Sequence, residues 1–154
     1  MSLPISTAGV TVKYAVETTA GTMPTSGFTG IPGITNIGSI NPEPNMLDCT
    51  ELTETIMHRY INGLRDLGGA IGLTANLTSD FITAWGTLKS AADTAYAAGK
   101  ATWFEIYSAK LGKSFYVSGM PVDLGFDETA VDQVLHTTAY ITPNGWGGYA
   151  TSST

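Results

Sequence analysis

Cysteine occurs once, at Cys49, so no intramolecular disulfide can brace this chain. Charge is scarce as well. Asp, Glu, Lys and Arg make up 13% of the residues, about half of the ~25% usual in globular domains. Seven bases face thirteen acids, for a net charge of −6; with so few cations, gripping nucleic acid by phosphate neutralisation is excluded. The two histidines, His58 and His136, stand 78 positions apart. Together with a lone cysteine they do not make a zinc ligand set. No apolar run approaches the ~18 residues of a spanning helix. The opening MSLPISTAGV lacks the charged and apolar regions of a signal peptide.

Polar character without charge dominates what is present: 23 Thr, 11 Ser and 18 Gly, a β-leaning mixture. Hydrophobic residues reach 43%, and fifteen are aromatic, which argues against disorder. A length of 154 residues suits one domain with a sizeable core. The expected organisation is an N-terminal arm at 1–9, one β-rich domain at 10–141 with a long loop at 42–68, and a flexible tail at 142–154.

Strand alternation is clear in Val10–Val16, where Val10, Val12, Tyr14 and Val16 share one side, and in Ile71–Leu77. A turn-rich loop at 18–33 and a weaker strand at Ile34–Ile40 lie between them, and Pro42 and Pro44 should end that strand. One helix is expected over Asp80–Ala98, because Phe81, Trp85, Leu88, Ala92 and Ala95 fall on a single face. Ser79 or Asp80 would cap its start and Gly99 would stop it, with Phe81, Trp85 and Leu88 as its core anchors. A hairpin follows, Thr102–Ser108 with Ser114–Met120, and then a final strand over Val131–Ile141. The class is therefore α+β, mainly antiparallel: a β-sandwich or open barrel with one helix packed on the sheet.

Residues 45–68 fit no template well. A short strand at Met46–Thr50 is compatible with the start, whereas Ile56, Met57, Tyr60, Ile61, Leu64 and Leu67 are loosely helical in spacing, and Asn62-Gly63 interrupts them. Four acids and no base lie between Glu43 and Glu54. A long loop that orders on contact is one reading, and a plain solvated loop is the other.

Catalytic chemistry finds no foothold. Cys49 has no context that would lower its thiol pKa. Gly63–Gly68 has phosphate-loop glycine spacing, but Gly69 and Ala70 stand where Lys and Ser/Thr are needed. Asp123, Asp127 and Asp132 do not match a calcium loop. The expectation is a non-enzyme without cofactor or metal. Sheet edges, an arm, a long loop and a glycine-rich tail suit self-association instead.

From Gly69 onward the pattern resembles the tail tube (major tail) proteins of lambda-type, long-tailed, non-contractile phages. The residues that carry it are the strand Ile71–Leu77, the helix FITAWGTLKSAADTAY with Gly99, the hairpin ATWFEIYSAKLGKSFYVSGMPVDLG, and AVDQVLHTTAYITPNGWG. The N-terminal half, with TGIPGITNIGSI and the acidic stretch before GLRDLGG, is similar too, so that roughly residues 7–147 are covered in pattern and order.

The resemblance implies the tail-tube fold and six subunits per ring, with rings stacked into a conduit for DNA ejection. Tape-measure, tail-tip and tail-terminator proteins would be partners, with DNA passing through unbound. It also implies a place in the virion tail after synthesis in the host bacterial cytoplasm. On that reading the long loop reaches the next ring through Met57, Tyr60, Ile61, Leu64 and Leu67. Candidates for lining the lumen are Thr74, Asn76 and Thr78 on one strand and Asp132, His136 and Thr138 on another. Six copies of −6 put about −36 on each ring, a field that repels phosphate. Two alternatives stay open: the tube protein of a contractile tail or secretion machine, and a monomeric carbohydrate-binding module using Trp103, Tyr107, Tyr116 or Trp146.

Overall fold

A computed structural model describes residues 3–153. The chain begins with strand β1 (Thr11–Val16), then β2 (Thr29–Gly30) and β3 (Ile34–Ile37). A hairpin of β4 (Glu43–Asp48) and β5 (Tyr60–Asp66) comes next, followed by β6 (Ile71–Asn76) and helix α1 (Ser79–Ala97). The last elements are β7 (Thr102–Tyr107), β8 (Lys113–Pro121) and β9 (His136–Thr151). Seven strands form one antiparallel sheet in the order β2-β1-β7-β8-β9-β6-β3, while β4 and β5 pair only with each other. The α+β reading holds.

The large sheet curls almost into a barrel. Its outermost strands, β2 and β3, are consecutive in sequence and separated only by residues 31–33. The Ile31 amide donates to the Val12 carbonyl (2.9 Å) on the β1 side, and the Asn76 amide donates to the Gly33 carbonyl (2.9 Å) on the β6 side. One short segment thus satisfies backbone groups at both sheet edges, which otherwise invite further pairing.

Helix α1 lies against the inner face with Phe81, Trp85, Leu88, Ala92 and Ala95 buried, the face expected from their spacing. Of these, Phe81, Trp85 and Leu88 meet Val12, Leu73, Ala75, Phe104, Val117, Ala139 and Ile141 in one core. Trp85 is 2% exposed, and its Nε1–H donates to the Val122 carbonyl at 2.9 Å, so its polar atom is satisfied as well. The helix start differs from expectation. Thr78, not Ser79 or Asp80, is the N-cap, its Oγ1 accepting from the Phe81 amide at 3.2 Å. At the other end Gly99 adopts φ +74°, and the Lys100 amide closes back onto the Ala95 carbonyl at 2.8 Å.

Two further expectations are corrected. Residues 131–135 are turn and loop, and the final strand starts only at His136. It then runs through the presumed flexible tail to Thr151, paired with β8 all the way. Pro143 is tolerated because β9 has by then outrun β6, whose last partner is Ile141, so that side of the strand needs no donor. Gly147 permits close packing: a Cβ there would stand 2.9 Å from the Trp103 ring and 2.8 Å from Tyr116. The tail is pinned further along by Glu105, which is fully buried on the outer face. Its carboxylate accepts from the Ser153 amide (2.9 Å), the Ser153 hydroxyl (2.6 Å) and the Tyr116 hydroxyl (2.7 Å).

Candidate functional site

A further correction of architecture falls on the stretch expected to make contact with another subunit. Residues 42–68 do not form an irregular loop. They make a two-stranded antiparallel hairpin, with Leu47 opposite Ile61 and Asp48 opposite Tyr60. Pro44 stands inside β4, next to a bulge, instead of ending the pairing. Every residue of β4 is exposed, and every residue of β5 except Gly63. Two strands alone are marginal in water unless a face is covered.

The connection between the strands is ordered by its own polar groups. The Thr50 amide (2.9 Å) and hydroxyl (2.6 Å) donate to Asp48 Oδ1, and Thr50 Oγ1 accepts from the Arg59 amide (2.8 Å). Arg59 Nε pairs with Glu54 Oε2 at 2.9 Å. The Thr50 bonds hold the Asp48 carboxyl below its ordinary value. Glu54 is likewise lowered, chiefly by the Ile56 amide. With the polar atoms turned onto one another, the apolar side chains point outward: Leu52 is 105% exposed, Leu64 88% and Ile56 86%.

Met57, Tyr60, Ile61 and Leu64, expected to serve contact with another subunit, are all exposed on this hairpin. Leu67 is not: it lies just past β5, half-buried against the core. Met46, Leu47 and Leu52 are equally exposed and escaped the sequence reading, because no periodicity connects them with the 56–67 set. Eight large apolar side chains are thus exposed on one hairpin, divided between its two faces and its tip.

The residues proposed to line a lumen divide. Thr74 pairs with Thr138, and Asn76 with His136, across β6 and β9. All four lie on the sheet face turned away from the helix, half-buried, alternating with the core residues Leu73, Ala75, Thr137 and Ala139. Asp127 reaches this group from the preceding loop: it accepts from Thr138 Oγ1 at 3.0 Å and lies 3.9 Å from His136 Nε2. Thr78 does not join them, since it caps the helix. Neither does Asp132, which sits in a turn with φ +64°, outside any strand.

Of the four aromatic residues considered for a carbohydrate platform, Tyr107 lies under Lys13 Nζ, 4.2 Å from its ring centroid, and Trp146 is 38% exposed. Tyr116 is 1% exposed, Trp103 Nε1–H is committed to Glu17 Oε1 at 2.9 Å, and Trp146 stands edge-on to Phe115 with ring centroids 5.1 Å apart. Among the described residues no three His, Cys, Asp or Glu side chains gather as a metal site, and no helix is long and apolar enough to cross a membrane.

An open cleft of about 770 Å³ lies at the base of the hairpin, between residues 65–70 and residues 142–146 of β9. Arg65 projects over the Trp146 ring there, 5.7 Å from its centroid.

No family model and no curated protein sequence matches the chain. Solved structures do. A chain in the cryo-EM structure of the anti-feeding prophage (AFP) baseplate, 6-fold symmetrised, superposes with a TM-score of 0.58 at 13% identity, covering 99% of this chain and 98% of that one. A chain in the tail of an empty GTA particle, refined with C6 symmetry, gives 0.57 at 12% identity, covering 97% and 100%. A chain in the sheath/tube terminator structure of an extracellular contractile injection system, PVC, gives 0.53 at 12% identity, covering 93% and 94%. At such identities the likeness establishes a shared fold over nearly the whole chain, one found in the tails and baseplates of phage-like particles.

Proposed function

We propose that this chain is a structural, non-enzymatic subunit of a phage-tail-like particle. It assembles with copies of itself into hexameric rings stacked as a tube through which DNA leaves. The observation that carries this reading is the β4–β5 hairpin: a preordered, solvated two-stranded arm loaded with apolar side chains, set apart from the curled seven-stranded sheet. Such an arm gains by burial against another subunit, where Met57, Tyr60, Ile61 and Leu64 would leave water. Contact between two different surfaces of identical subunits closes into rings or runs on as filaments.

Thr74, Asn76, His136 and Thr138, with the Asp127 carboxylate beside them, form a polar strip suited to a lumen that must not hold DNA. The excess of acids supplies the repulsion. Tape-measure, tail-tip and terminator proteins would complete the assembly, made in the host bacterial cytoplasm and carried in the tail. A second reading, the tube of a contractile machine, is supported by the likeness to a chain of a contractile injection system.

Negative-stain electron microscopy of the concentrated protein tests the proposal. Rings or hollow tubes with six-fold end views are expected. A uniform field of monomers that persists on addition of a tail-tip complex would refute it.

A further inference from the structure

The hairpin carries two unlike features at its two ends. At the tip, Leu52 is the most exposed large apolar side chain of the described chain, and beside it Glu51 forms no ion pair among the described residues. At the base lies the cleft of about 770 Å³, in which Pro42, Leu67, Pro143 and Trp146 offer apolar walls. Arg65 stands at its edge over Trp146, likewise without a carboxylate partner among the described residues. The floor is β9 beyond Ile141, which β6 no longer covers.

We propose that the tip of one copy docks in the basal cleft of another, Leu52 entering between Trp146 and the prolines while Glu51 pairs with Arg65. This rests on the self-assembly reading above and names its contact. The occupant is a second copy because the two halves cannot meet within one chain. Six strand residues at ~3.3 Å each, five of them paired, hold tip and base roughly 20 Å apart. Size and charge agree: the cleft exceeds a leucine side chain several-fold, Arg65 is the one base in its lining, and the lining carboxylate of Asp66 is engaged by the Gly68 amide at 2.9 Å. Knob and socket are different surfaces, so each subunit can give one contact and receive another.

The test is a charge exchange with wild-type protein alongside, assembly being followed by sedimentation velocity and electron microscopy. Glu51→Arg, Arg65→Glu and Leu52→Asp all alter exposed positions, and unchanged circular dichroism and melting curves will verify the folds. Each single variant is expected to raise the concentration needed for assembly by about tenfold or more, the loss of one hot-spot contact. Glu51→Arg combined with Arg65→Glu in one chain should recover most of that loss. So should a mixture of the two single variants. Wild-type assembly matched by all three single variants would overturn the socket while leaving the tube reading intact. Single variants that fail without rescue in the double variant would overturn the Glu51–Arg65 pairing. A wild-type protein that never assembles would overturn both.

Discussion

Trp85 concentrates three contributions in one side chain: burial under the sheet, a tilted contact with Phe81 at 6.0 Å between ring centroids, and a hydrogen bond to the Val122 carbonyl. Trp85→Ala should cost about 3–5 kcal/mol, read from urea unfolding, because the cavity and the orphaned carbonyl add to the lost transfer energy. Glu105 works differently. Burial alone pushes its carboxyl up, but the bonds from Ser153, Tyr116 and Ser114 outweigh this and hold it below the ordinary 4.5. A folded-state value below the unfolded one stabilises fully above 4.5, and that stability is lost as pH falls through the lower, folded value. Melting temperature should therefore drop on acidification below pH 4.5, with early loss of amide protection at Ser153. In Glu105→Gln, less stable at neutral pH, that acid limb should flatten. Tyr116 marks the alkaline side: burial, then Glu105, push its hydroxyl up to about 12. Its contribution is present below pH 10 and lost as pH rises through about 12. Ultraviolet titration should show one of the seven tyrosines ionising last.

At the scale of elements, the hairpin and the barrel are separable. Replacing residues 45–64 with a short Gly-Ser turn retains Leu67 against the core and removes no buried side chain. The shortened protein should melt within a few degrees of wild type and fail to assemble. A collapse of the melting transition would make the hairpin part of the fold. Helix α1 depends on its cap: Thr78→Ala should cost about 1 kcal/mol, since the Phe81 amide loses its acceptor.

For the whole molecule, closure and projection are divided between two sheets. The seven-stranded sheet carries the core, and residues 29–37 bond to strands on both its sides, whereas the two-stranded one leaves all its residues but Gly63 exposed. Hydrogen exchange should show the same division. In dispersed subunits the amides of β6, β7 and β8 should exchange slowly and those of β4 and β5 quickly. On assembly the hairpin and the stretch of β9 that lines the basal cleft should gain protection; unchanged hairpin exchange in assembled material would count against its role as the contact.

What the sequence by itself determined is what short-range periodicity encodes. Phe81, Trp85, Leu88, Ala92 and Ala95 share a helical face because 3.6 residues make a turn, and Ile71, Leu73 and Ala75 share a strand face because alternation does. Only the tertiary structure decided the rest, where local chemistry was ambiguous. Pro143 and Gly145–Gly148 read as a loop by composition, yet they form strand, since β8 lies on one side only and Trp103 fills the space a Cβ would need at Gly147. Thr78 alternates correctly for a strand, but its position one residue before the first turn makes it a cap. Tyr60–Asp66 has loosely helical apolar spacing, yet register with Glu43–Asp48 draws it into a hairpin. Arg65 and Trp146 lie 81 positions apart, and only the path of β9 past the hairpin base brings them together. Their meeting depends on long-range pairing, which no local pattern of residues records.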